Sequence, residues 1–131
     1  MKRILFFLII LVTATTVTVA EKKPAQPRAQ FTTLSHDFGT IKEENGPVSF
    51  YFEFKNVGNK PLLIVDAVAS CGCTRPEYPA KPIKPGKKGK IKVTYSPIGR
   101  PGAFRKSVKI KTNGEERVTS LMITGTVVPK R

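Results

Sequence analysis

Val48-Ser49-Phe50-Tyr51-Phe52-Glu53-Phe54-Lys55 alternates without a break: Val48, Phe50, Phe52 and Phe54 fall on one side, Ser49, Tyr51, Glu53 and Lys55 on the other. A period of two is that of a strand with one face in a core and one in water. The pattern recurs downstream. Ile91, Val93 and Tyr95 alternate with Lys90, Lys92 and Thr94; Phe104, Val108 and Ile110 form another row, broken by Lys106. Leu121, Ile123 and Val127 predict a last strand, with Gly125 at a bulge or close approach. Leu62 to Val68 is more continuously apolar, the pattern of a strand covered on both sides or at a sheet centre.

The punctuation agrees. Asn56-Val57-Gly58-Asn59-Lys60-Pro61, Lys84-Pro85-Gly86, Arg100-Pro101-Gly102 and Asn113-Gly114 separate these runs. Asn-Gly tolerates the positive φ of a tight hairpin, which predicts a turn at 113–114. No window from Phe31 onward carries helical periodicity. The reading is all-β: a sandwich of about seven short antiparallel strands.

Upstream, Met1-Lys2-Arg3 precedes the apolar run Ile4 to Val12, and Thr18-Val19-Ala20 ends before Glu21-Lys22-Lys23-Pro24. A basic start, a short apolar core and small residues before a polar run make a secretory signal peptide, cleaved after Ala20. A spanning helix needs roughly 20 mostly apolar residues, and threonines 13, 15, 16 and 18 dilute this stretch. The expected organisation is a signal peptide at 1–20, a flexible leader at 21–30, the sandwich at 31–128 and a tail at 129–131. The expected location is periplasmic or extracellular, without a membrane span after cleavage.

Little here suits catalysis. The chain has one histidine, His36, no tryptophan, and no local nucleophile motif; His36 reads as a turn or solvent residue. No cofactor is expected. Export sets an oxidising context for the only two cysteines, Cys71 and Cys73. Residues two apart on a strand point the same way about 6.6 Å apart, and Gly72 permits the bend that would bring them to disulfide distance. Three readings stand together: a structural disulfide, an exchangeable redox pair, and two thiolates holding Cu(I).

The chain carries a formal charge of +14, with eleven basic residues and no acidic one between Lys81 and Lys111. Lys90 and Lys92 on one strand, with Arg105, Lys109 and Lys111 on another, would make one anion-binding face if the two strands share a sheet. Export argues against nucleic acid as its partner.

Several stretches carry a family likeness: His36-Asp37-Phe38-Gly39-Thr40-Ile41, Phe50 to Gly58, Pro61-Leu62-Leu63-Ile64, Ser70-Cys71-Gly72-Cys73-Thr74, Ile83-Lys84-Pro85-Gly86 and the closing Gly125. Together they resemble the bacterial domain of unknown function 1573 family. That family is similar in turn to the immunoglobulin-like domains of the abnormal-spindle, Hydin and major-sperm-protein group. The resemblance covers about residues 31–128 and implies an immunoglobulin-like β-sandwich and an exported location, with no established activity. The reading that follows is a non-catalytic binding or scaffold module of the cell envelope, its partner another envelope protein or an anionic surface component. The alternative is a thiol-redox or Cu(I)-handling protein using Cys71 and Cys73.

Overall fold

The computed structural model describes residues 11–19 and 24–130. The basic start, most of the apolar core and the cleavage junction expected of a signal peptide lie outside them. Leu11–Val19 form no strand or helix, and no described helix is long and apolar enough to cross a membrane.

Eight strands follow in chain order: β1 Ala29–Phe31, β2 Ser35–Lys42, β3 Val48–Asn56, β4 Ile64–Ala69, β5 Thr74–Glu77, β6 Lys88–Tyr95, β7 Gly102–Thr112 and β8 Val118–Val128. A single 3-10 turn, Glu43–Asn45, joins β2 to β3. Two four-stranded sheets result, ordered β1-β3-β6-β5 and β2-β8-β7-β4. This is the expected immunoglobulin-like β-sandwich, with the short β1 as an added strand. All pairings are antiparallel except β2 on β8, which is parallel. The parallel pair arises because the chain leaves the first sheet after Phe31 and joins the second at Ser35, running beside β8.

The alternating rows meet between the sheets. Phe52, Ile91, Val93, Val108, Ile110 and Leu121 are each at most 1% exposed. Tyr95 stacks on Phe104 at 3.9 Å between ring centroids. Gly125 pairs with Phe104, and a Cβ there would sit 2.7 Å from that ring. The close approach expected at Gly125 is therefore that of the Phe104 ring, with the Gly39 carbonyl 3.0 Å from the same point.

Three expectations change. The run 62–68 does not become a central strand: β4 is an edge strand, with Val65 and Val68 exposed. Its apolar residues divide between the core (Leu62, Ile64) and the outer surface, so continuity in sequence meant two half-covered sides. The turn after β7 is not a two-residue hairpin. It spans 113–117, closed by the Arg117 carbonyl accepting from the Thr112 amide at 2.9 Å, and Gly114 lacks a positive φ. A Cβ on Gly114 would sit 2.8 Å from the Pro27 carbonyl, so this glycine serves packing. Finally, the last residues of the expected leader are laid down on the domain. β1 begins at Ala29 and Pro27 is buried, because the backbone of 26–28 finds hydrogen-bond partners described next.

Candidate functional site

The chain crosses from β4 in one sheet to β5 in the other through Ser70-Cys71-Gly72-Cys73. Ser70 is tied to β7 by its amide to the Ser107 carbonyl (2.9 Å) and by its hydroxyl, which accepts from the Ser107 amide (3.1 Å). Past the corner, the Cys73 carbonyl accepts from the Ser96 amide at 2.9 Å, placing Thr74 in register with Tyr95. Cys71 and Cys73 are joined in a disulfide across Cα atoms 5.2 Å apart. Gly72 closes the bend with no neighbour near its missing Cβ. Cys73 is only 4% exposed and belongs to the core cluster, whereas Cys71 is half-buried. Among the described residues no group of three or more histidine, cysteine or acidic side chains gathers for a metal.

The basic residues do not form one face. Lys90 and Lys92 are on β6, and Arg105, Lys109 and Lys111 are on β7, in the other sheet. Both sets alternate with buried residues, so both point outward, but from opposite sides of the sandwich. The single anion-binding patch expected from these five residues is thus split in two. The condition it required, a shared sheet, fails because long-range pairing places β6 beside β3 and β7 beside β8.

The two faces differ in their neighbours. On β3–β6, Tyr51 is 52% exposed, with the Lys90 and Lys92 ammonium groups 5.8 and 5.9 Å from its ring centroid. Lys92 also reaches Glu77 on β5 at 3.9 Å, and Ser49 and Thr94 share a hydroxyl contact at 2.8 Å. On β4–β7–β8, Lys109 lies beside Val68 and Lys111 beside Asp66 and Val118. Arg105 donates through Nε to the Met122 sulfur at 2.8 Å.

A third arrangement was not foreseen. Asn56, fully buried at the end of β3, spends every polar atom of its side chain. Nδ2 donates to the carbonyls of Lys60 (2.7 Å) and Ile83 (2.9 Å), and Oδ1 accepts from the amides of Gly58 (3.0 Å) and Arg28 (3.2 Å). The segment 26–28 is gripped further. Val57 and Asn59 donate to the Arg28 and Gln26 carbonyls, Glu115 donates to that of Pro27, and the Gln26 amide donates to Asn59 Oδ1. A Cβ on Gly58 would collide with the Arg28 amide, 2.6 Å away. In the sequence Asn56-Val57-Gly58 carries turn punctuation; its second meaning, a cradle for the incoming chain, involves residues some 27–28 positions away and leaves no local trace.

His36 is neither exposed nor a cap. It is half-buried, stacked on Phe50 at 3.7 Å and meeting Phe38 edge-on at 4.7 Å. At the far end of the sandwich, Glu43 accepts from the Gly99 amide (2.8 Å) and the Lys130 amide (3.2 Å). These backbone donors hold its carboxyl below the ordinary value of 4.5.

Residues 29–127 match the family described as "Protein of unknown function (DUF1573)", and the chain belongs to it. No curated protein matches the sequence. Among solved structures, a protein of unknown function from Porphyromonas gingivalis W83 is similar at a TM-score of 0.68 and 15% identity over 81% of this chain; the chain spans 50% of that protein. The PapD-like domain 7 of human CEP192 is similar at 0.62 and 11% identity, over 91% of this chain and 98% of that one. The Vibrio cholerae VesB protease is similar at 0.57 and 10% identity over 78% of this chain, but over only 31% of VesB. At such identities the likeness shows the fold alone.

Proposed function

We propose that this DUF1573 member is an exported, non-catalytic immunoglobulin-like module that binds another component of the cell envelope. An unknown-function family with a PapD-like sandwich fits a non-catalytic binding module. The observation that carries the reading is Tyr51: a half-exposed aromatic at the middle of an otherwise polar sheet face, flanked by two lysines. Exposed aromatics set among cations are typical anchors of recognition surfaces.

A photo-crosslinking residue in place of Tyr51, compared with one at Val68 on the opposite sheet, tests this in intact cells. Adducts with an envelope component from position 51 but not from 68 are the expected result. Recovery of the protein uncrosslinked in the cytoplasmic fraction, with Met1 retained, overturns it. The thiol-redox and Cu(I) alternative gains no support from the corner: Cys73 is packed in the core, so a solution partner meets only Cys71.

A further inference from the structure

We propose that the outer face of β3 and β6 is a binding site for a linear acidic polysaccharide, which rests on the module reading above and names the chemistry of its partner. Lys88, Lys90 and Lys92 occupy alternate positions of β6. Residues two apart on a strand repeat about every 6.7 Å, so the backbone positions of these three lysines span about 13 Å, with the Lys92 ammonium also meeting Glu77 on β5 at 3.9 Å. The turn leading into β6 carries two further exposed lysines, Lys84 and Lys87, and is closed by the Lys87 amide on the Lys84 carbonyl (3.0 Å) with Gly86 at φ +81°.

The adjacent strand carries Lys55, Glu53 and Tyr51 in register with Lys88, Lys90 and Lys92. Lys55 therefore faces Lys88 directly, and both are exposed. Like charges directly opposite on neighbouring strands destabilise a sheet, and an anion between them reverses that cost. Two ammonium groups converge on the exposed ring of Tyr51. The surface thus offers a flat aromatic for the C–H face of a sugar ring and a line of cations for carboxylates spaced along a chain.

The shape favours a polymer over a bilayer. Neighbouring strands are rotated by roughly 20–25°, so a row two strands wide is a narrow twisted ribbon that a linear chain can follow along its length. The opposite face lacks this pattern. There Arg105, Lys109 and Lys111 share the outer side of β7, but their cross-strand neighbours include Thr124, Val68, Val118 and Asp66, with no aromatic in register with any of them.

The test is titration of the chain starting at Glu21 with polygalacturonate, neutral dextran and phosphatidylglycerol vesicles. Salt-sensitive binding to polygalacturonate and none to dextran is expected. Changing Lys88 and Lys90 together to Ser should weaken it at least about tenfold, on the scale of roughly 1 kcal/mol per cation at an anionic surface. Tyr51→Ala should weaken it with the salt slope unchanged, and Lys109→Ser with Lys111→Ser should leave it as it was. Lys55→Ser gives a readout that a structural role would not: affinity falls while the melting temperature rises. The proposal is overturned by binding that ignores the β6 substitutions, by equal loss from the β7 pair, or by vesicles binding more tightly than polygalacturonate. Crosslinks from position 51 to an envelope protein, without polygalacturonate binding, overturn the polysaccharide and leave the module reading standing.

Discussion

Two stretches of this chain without regular structure are fixed to the sandwich by opposite means. Residues 26–28 are held at one end by a buried asparagine and a set of backbone hydrogen bonds. Residues 70–73 are held at the β4–β5 corner by a covalent bridge between neighbours. The covalent device looks the stronger, and physical accounting reverses that. A disulfide acts mainly by restricting the unfolded chain, and a bridge two residues long restricts very little. Asn56 connects segments 27 and 28 positions apart through a side chain with no exposed surface. There, four polar partners depend on one residue.

The largest effect that can break this comparison is at Asn56. Asn56→Ala strips partners from two amides and two carbonyls, and each buried polar group left unpaired costs about 1–3 kcal/mol. Some regain water at the rim of the sandwich, so the expected loss is about 3 kcal/mol or more in a urea denaturation series. The amides of Arg28, Val57 and Asn59 should at the same time lose protection from hydrogen exchange, while those of β7 and β8 keep theirs. A loss under about 1 kcal/mol would mean that the segment 26–28 is held by its backbone contacts alone.

At the corner the expected effect is smaller. Changing Cys71 and Cys73 together to Ala should cost about 1–2 kcal/mol, close to what chain-entropy accounting gives for so short a loop. Ser70 and Cys73 remain tied to β7 and β6 through their backbone groups whether or not the sulfurs are joined. The same denaturation series decides the order. A double variant less stable than Asn56→Ala would make the bridge the main lock and invert the comparison.

The pair also shows what a sequence can reveal. The inward rows of β3, β6, β7 and β8 were legible because strand alternation is local, and Gly125 stood out because a glycine in such a row needs a reason. Cys71 and Cys73 stood out as the only two cysteines, with Gly72 permitting a bend between them, but the sequence left a structural bridge, an exchangeable pair and Cu(I) ligation open together. Sheet membership was not: Lys90-Ile91-Lys92 and Lys109-Ile110-Lys111 read alike, and only pairing with β3 or with β4 and β8 sends them to opposite faces. Asn56 was hidden for the same reason, since its spacing to Gly58 already explained a turn. Apolar continuity does not say which side of a strand is covered, so the run 62–68 does not mark β4 as an edge strand.

Glu43 sharpens the comparison with the smallest effect, because it repeats the chemistry of Asn56 in a less buried place. Like Asn56 Oδ1, its carboxylate takes two backbone amides from distant segments, those of Gly99 and Lys130, but at a position only half-buried. Water competes there for every partner, so Glu43→Gln should cost far less than Asn56→Ala. What identifies the contact is its pH dependence. Because the folded-state pKa is depressed below 4.5, the folded protein binds fewer protons at this site than the unfolded chain. The contribution of Glu43 to stability is then fully present above pH 4.5 and is lost as pH falls through the lower, folded-state value. The gap between the parent and Glu43→Gln should accordingly be constant near neutrality and narrow on acidification below that point. Asn56→Ala, which removes no titrating group, should keep its deficit across the same range. A Glu43→Gln gap that does not change with pH would show the Gly99 and Lys130 amides to be indifferent to the charge, and burial rather than hydrogen bonding would then separate the two ends of the sandwich.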